Sequence, residues 1–266
     1  MLGAVFGDIV GSIYERRNVK TKDFPLEKSG TRYTDDTVMT LAVAKWLLED
    51  TSHTETRLIH CMQELGKNDI GAGYGERFIE WLRSQNPQPY NSWGNGAAMR
   101  VSPVSLYASK LEEALELAKI TANVTHNHPE GVKGALTVSE CVFIRRVTTD
   151  LDAAKNEIRR TIPIKYGYDL NRTLDEIRPT YSFDVSCQGS VPEAIIAFLE
   201  CTSLEDCVRN AISIGGDSDT IAAIACSIYA AKTTSEDKEL MKRFEYYLPQ
   251  DLMQIMEAFE KQVSRN

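Results

Sequence analysis

A chain of 266 residues, 42% hydrophobic and 26% charged, carries enough apolar material for a sizeable core and has the composition of an ordinary globular protein. Its 30 Lys and Arg against 38 Asp and Glu, a formal charge of −8, exclude the broad basic surface of a general nucleic-acid binder. An anionic small molecule stays allowed, because helix N-termini and glycine-rich backbone bind phosphate without lysine. Six cysteines (Cys61, Cys141, Cys187, Cys201, Cys207, Cys226) form no CxxC pair and no regular framework, so reduced packing residues are expected. No stretch approaches the roughly 18 apolar residues of a membrane span. The opening "MLGAVFGDIVGSIYE" lacks a basic leader and is broken by Asp8, so export is not expected either. The expectation is a cytoplasmic enzyme or binding protein without a membrane or nucleic-acid partner.

Helical periodicity dominates the chain order. After "YTDDT", Val38, Met39, Leu41, Ala42, Val43, Trp46 and Leu47 trace a broad apolar face. Residues 110–124 place Leu111, Ala114, Leu115 and Ala118 at i, i+3, i+4, i+7. Stretches 131–147, 191–202, 204–214, 219–233 and 250–263 read the same way, with Pro192 expected in the first turn of its helix. Strand alternation is scarce. Residues 163–188 mix turn residues and aromatics and read as a long connection with a short helix near 173–178. No linker, charge block or repeat divides the chain, so an all-α bundle in a single domain, 1–266, is predicted.

Two helix starts share an acidic chemistry. "TDDT" (Thr34–Thr37) precedes the helix after Tyr33, and "GGDSDT" (Gly215–Thr220) precedes the alanine-rich run to Ala225. Helix capping accounts for such residues singly, since Asp and Thr accept from orphan N–H groups and suit the macrodipole. Capping uses one acidic oxygen per helix, however, and each start holds two carboxylates. Four carboxylates brought together would have to protonate, stand apart or bind cations. Oxygen donors without His or Cys suit hard ions such as Mg²⁺, Mn²⁺ or Ca²⁺. Neither an EF-hand loop nor a phosphatase aspartate after a buried strand fits "DSDTIAAIACSI".

The motifs "GDIVGSIYE" (7–15), "YTDDT" (33–37), "GNGAAMRVSP" (94–103), "TH" (125–126), "SVPEAIIAFL" (190–199) and "GGDSDTIAAIA" (215–225) occur in the order found in ADP-ribosylglycohydrolases. The chain resembles that family from about residue 3 to 230. The resemblance implies a compact orthogonal helical bundle with a binuclear centre of two Mg²⁺ or Mn²⁺. It implies Thr34, Asp35 and Asp36 on one ion and Asp217, Asp219 and Thr220 on the other, with Asp219 bridging. Asp36 and Asp219 then count as catalytic, together with Glu15 as acid/base or water-positioning group. A surface pairing of Glu15 with Arg16 or Arg17 is the alternative from the residues alone.

By the same resemblance, Ser92, Trp93, Gly94, Asn95, Gly96 and His126 contact an ADP-ribose moiety, and "GAGYGERF" (71–78) is a further ligand-lining glycine segment. Asp8 is expected as a supporting carboxylate, and His128 has no assigned part. The implied reaction is metal-dependent hydrolysis at C1″ of the distal ribose in an ADP-ribosylated protein or small adduct, by a monomer. A non-catalytic ADP-ribose reader and a hydrolase of a related nucleoside are the competing readings.

Overall fold

A computed structural model describes residues 1–264. The helices run, in chain order, α1 (Leu2–Gly11), α2 (Asp35–Glu49), α3 (Glu55–Asn68), α4 (Glu76–Arg83), α5 (Gly96–Met99), α6 (Ser102–Tyr107), α7 (Leu111–Asn123) and α8 (Pro129–Val147). They continue as α9 (Leu151–Tyr166), α10 (Leu174–Ile177), α11 (Cys187–Glu200), α12 (Leu204–Ser213), α13 (Ser218–Tyr229), α14 (Ser235–Lys242) and α15 (Gln250–Val263), with a 3-10 turn at Glu245–Tyr247. Among the described residues there is no β-strand, only one isolated bridge between Gly94 and Ser186. The all-α expectation holds.

The centre of the molecule is a helix pair made by glycines. Gly3, Gly7 and Gly11 repeat every four residues and so share one face of α1. A Cβ built on Gly3 would sit 2.1 Å from the Cys226 carbonyl oxygen, on Gly7 2.2 Å from that of Ala222, and on Gly11 2.5 Å from the Cα of Asp219. Only the missing side chains let the two backbones meet, the small-residue logic of close helix crossings. Every residue of α13 is buried as a result. Asp8, the residue after Gly7, brings its carboxylate within 4.8 Å of that of Asp219 in the first turn of α13, so the seam positions the chemistry as well as the core.

Around this pair the remaining helices bury one contiguous apolar cluster, including Trp46, Phe6, Phe198 and Phe259. All six cysteines are free and buried, as packing residues should be. The predicted helices at 110–124, 204–214 and 250–263 correspond to α7, α12 and α15. Two expectations are corrected. Pro192 lies in the second turn of α11, because Ser186 starts that helix earlier by accepting the Gly189 N–H at 3.1 Å. Residues 163–166 of the expected connection form the last turn of α9, ended by Gly167 in the left-handed region at φ 73°. Helices α1, α3, α4, α5, α6, α9 and α14 were not anticipated. The glycines of α1 hid its helical pattern, and α3, α9 and α14 announce themselves mainly by their caps, Thr54, Asp150 and Thr234.

Candidate active site

Capping does not consume the acidic pairs. At α2 the cap is the Thr34 hydroxyl, which accepts the Asp36 N–H at 3.3 Å. At α13 the N-cap is Asp217, whose side chain caps nothing. Asp217 sits there because Gly215 and Gly216 both take positive φ, 73° and 76°. Asn18 clamps that turn, with Nδ2 donating to the Gly216 carbonyl at 2.9 Å and Oδ1 accepting the Gly216 N–H at 2.8 Å. The carboxylates of both helix starts are therefore free for other work.

The two starts meet. Asp8, Asp36 and Asp219 bring carboxylate oxygens within 4.8 Å of one another. Asp8 is saturated: Thr34 donates its hydroxyl to Oδ1 at 2.6 Å and its N–H to Oδ2 at 2.9 Å, and Thr37 gives Oδ2 its N–H at 3.1 Å and its hydroxyl. Asp8 thus ties the start of α2 to α1. Asp36 accepts the Thr220 hydroxyl on Oδ2 at 3.0 Å, which joins α2 to α13 directly. Asp217 accepts from Asn95 Nδ2 at 2.7 Å. What remains is Asp36 Oδ1 and Asp219 Oδ1, both buried and both without a partner. Unpaired buried carboxylate oxygens are costly, and a cation is what such a donor set accepts.

The electrostatics agree. Two carboxylates 4.8 Å apart repel by about 3 kcal/mol at an effective dielectric near 20. Burial, then the charges of Asp8 and Asp217, push Asp35 up to about 8. Burial first and neighbouring aspartates second hold Asp36 and Asp219 well above the usual carboxylate range. Burial also raises Asp217, against the pull of its bond from Asn95. A divalent cation reverses this balance by favouring the ionised forms.

These groups floor a cavity of about 530 Å³ lined also by Glu15, Thr34, Asp35, Ser92, Gly94, Asn95, Gly96, His126 and Thr220. Glu15 faces the cavity, and Arg16 Nε lies 3.9 Å from it, the outer limit of an ion pair. Asp35 packs against the 71–78 segment: its N–H donates to the Ala72 carbonyl at 3.2 Å, and a Cβ on Gly73 would lie 3.0 Å from its Oδ1. Trp93 is the exception among the expected residues. It is outside the cavity lining, half exposed, with its ring edge-on to His128 at 5.6 Å. Asn95 lines the cavity and donates from Nδ2 to Asp217.

One wall is a relay that fixes His126. The buried Arg100 guanidinium donates from Nη2 to the Thr121 carbonyl at 2.8 Å and to the Thr125 hydroxyl at 2.7 Å, and that hydroxyl meets His126 Nδ1 at 2.7 Å. Thr125 thus holds Nδ1, and Nε2 is the ring nitrogen left beside Gly94 and Gly96. Burial, reinforced by Arg100 and Arg77, holds the imidazole well below its ordinary pKa and therefore neutral. His128, unassigned from sequence, caps α8 through Nδ1.

Arg77 lines the cavity from the expected 71–78 segment, while Arg32, Tyr90, Arg100, Phe183 and Val185 were not singled out one by one from the sequence. The last two come from the 163–188 connection, brought to the cavity by Asn95 N–H donating to the Val185 carbonyl at 2.8 Å and Cys187 N–H to that of Trp93 at 2.9 Å. No local pattern signals such a pairing. Arg100 stood in the quoted "AMR", where a lone arginine after apolar residues was the available sign.

A buried acidic pair of helix starts lies beneath a glycine- and histidine-walled cleft, and comparison with known proteins gives the family. The family described as ADP-ribosylglycohydrolase matches residues 1–258, and the chain belongs to that family, whose members hydrolyse glycosyl bonds. It is 26% identical to ADP-ribosylhydrolase ARH3 of Homo sapiens, over 87% of this chain and 83% of that protein. It is 25% identical to ADP-ribosylhydrolase ARH3 of Mus musculus, over 98% and 87%. A solved structure described as an ADP-ribosylglycohydrolase-related protein complex shares the fold, with TM-score 0.72, 20% identity and coverage of 98% of this chain and 97% of that one.

Proposed function

We propose that the protein is a cation-dependent hydrolase that releases ADP-ribose from ADP-ribosylated proteins or small adducts by cleaving the bond at C1″ of the distal ribose. The observation that carries this reading is the pair of unpartnered buried oxygens, Asp36 Oδ1 and Asp219 Oδ1, on helix starts that the Thr220–Asp36 bond locks together. Thr34, Asp35 and Asp36 on α2, with Asp217, Asp219 and Thr220 on α13, are the oxygen donors for one or two Mg²⁺ or Mn²⁺ ions. Bound cations would neutralise the carboxylates and supply electrophilic sites for the ribose hydroxyls.

The chain's own residues do the rest. In this reading the neutral His126 carries its proton on Nε2, and the glycines at 94 and 96 keep the loop low enough for a phosphate oxygen to approach it. Phe183 and Val185 offer an apolar rim to the base. Glu15 accepts a proton from the attacking water, whose oxygen bonds to C1″ as the acceptor's bond to that carbon breaks. The acceptor atom takes a proton from solvent as it leaves, and Glu15 later returns its own to solvent, which closes the balance. Water-exclusion is partial, because Glu15 stands at the cavity edge and retains access to solvent.

The test is a panel of ADP-ribose adducts linked through serine, arginine or an O-acetyl group, assayed with and without chelator. Release of ADP-ribose that chelation stops, Mg²⁺ or Mn²⁺ restores, and Asp219→Ala lowers by at least about a thousandfold is the expected result. Tight ADP-ribose binding with no release from any linkage, at saturating cation, would instead make the protein a reader.

A further inference from the structure

The loop between α1 and α2 carries Glu15 and a charge pattern opposite to that of the whole chain. Residues 15–32 hold six Lys or Arg against three Asp or Glu, in a protein of net charge −8. Two of the six have structural duties. Lys20 donates to the carbonyls of Ile214 at 2.6 Å and Tyr181 at 2.7 Å, and Lys22 pairs with Asp206. The other four, Arg16, Arg17, Lys28 and Arg32, line a groove of about 260 Å³ that shares Glu15, Arg16 and Arg32 with the active-site cavity. Among the described residues, Arg17, Lys28 and Arg32 have no acidic partner, and the Arg16 side chain is 91% exposed with only Glu15 near it. Lys28 is held in place over the Tyr14 ring, 4.4 Å from its centre.

Building on the proposed C1″ hydrolysis, we propose that this groove binds the acceptor side of the substrate, as an acidic peptide segment flanking the ADP-ribosylated residue. Glu15 lines both spaces, so a bond broken beside it has ADP-ribose on the cavity side and the acceptor on the groove side. The groove's donors favour carboxylates spread along a peptide over a compact phosphate. Phosphates are cradled by runs of free backbone N–H groups, and three in this groove are already used: Arg17 N–H by the Tyr14 carbonyl, Lys28 N–H by Thr31 Oγ1 and Arg32 N–H by Ser12 Oγ. What the groove offers is four separate cations on long side chains, which match carboxylates on neighbouring residues. The negative charge elsewhere on the protein concentrates that preference at this one place.

The experiment compares fluorescent peptides carrying the same residue in a non-hydrolysable ADP-ribosyl linkage between acidic, neutral or basic flanks, with binding read by anisotropy. They are titrated onto the wild type, the single variant Arg17→Gln and the double variant Arg17→Gln/Lys28→Gln, neither position lining the active-site cavity. Thermal midpoints confirm that the variants fold. At about 50 mM salt the acidic peptide binds the wild type roughly fivefold more tightly than the neutral one. About 500 mM salt and the double substitution each abolish that margin, and the single substitution reduces it, while affinity for free ADP-ribose stays unchanged. Equal affinities across the flanks, or a margin that survives the double substitution, would overturn the proposal. So would a short ADP-ribose oligomer that outbinds the acidic peptide and loses that lead in the double variant. Absence of any binding of free ADP-ribose to the wild type would contradict the proposed function, and the flank comparison would still decide the groove.

Discussion

The floor and the rim of the cavity are built in opposite ways. The floor is made of helix starts: α13 is fixed on α1 by the glycine seam and α2 by the four bonds that Asp8 accepts, and Asp36, Asp217 and Asp219 are buried there. The rim is made of connections, the 92–96 loop and residues 183–185, joined by a few backbone bonds and exposing Trp93, Phe183 and Val185 to solvent. A rigid acidic floor suits a chemistry that tolerates little displacement of its ligands. An exposed apolar rim suits recognition, where contacts vary without moving the reacting groups.

Breaking the floor has the largest expected effect. Gly7→Ala places a methyl 2.2 Å from the Ala222 carbonyl oxygen, a backbone atom that cannot swing aside. It should cost about 3 kcal/mol or more of stability and abolish activity, measured as the urea midpoint and turnover of the purified variant. Wild-type stability in Gly7→Ala would mean that α1 and α13 do not approach as described.

A gentler probe of the floor is pH. A carboxyl whose pKa rises on folding binds its proton more tightly in the native state, so it stabilises the protein below the unfolded value of about 4. That contribution is lost as pH climbs through the folded values. Asp35 reaches about 8, and Asp36, Asp217 and Asp219 shift the same way. The cation-free protein should therefore show a thermal midpoint that falls between pH 5 and pH 8. Added Mg²⁺ should recover more at pH 8 than at pH 5. A midpoint that climbs over this range in the cation-free protein would break the link between burial and repulsion.

The rim should respond least. Phe183→Ala removes a half-exposed ring from the cavity edge. We expect KM for an ADP-ribose adduct to rise about threefold to tenfold, in line with about 1 kcal/mol for one aromatic contact, with kcat and thermal midpoint unchanged. A fall in kcat of the same size would move Phe183 from recognition into the floor's chemistry.

The same contrast explains what the sequence made legible. Thr34–Asp36 and Asp217–Thr220 stand out because acidic groups at a helix start are local, adjacent and chemically odd, with a surplus carboxylate that capping does not use. Their meeting was an expectation from chemistry and resemblance, and the Thr220–Asp36 bond is where it becomes geometry. The α1–α13 seam escaped notice because a glycine repeat weakens the apolar signal that announces a helix. Phe183 and Val185 escaped because their place depends on bonds to a loop some 90 residues away in sequence. Trp93 was placed on the substrate by its neighbours in sequence, yet the backbone between Ser92 and Gly94 turns its ring toward His128.

The most direct test of the central claim is a thermal-midpoint titration with Mg²⁺ or Mn²⁺ at pH 8, on wild type and on Asp36→Ala and Asp219→Ala. If the paired helix starts form a cation site, the wild type gains several degrees on saturation, roughly what about 2 kcal/mol of ligand binding gives a chain of this size. Each variant should begin above the cation-free wild type, because one repelling charge is gone, and should gain little from the ion. Equal cation-induced shifts in all three proteins, or no shift in the wild type, would contradict the account.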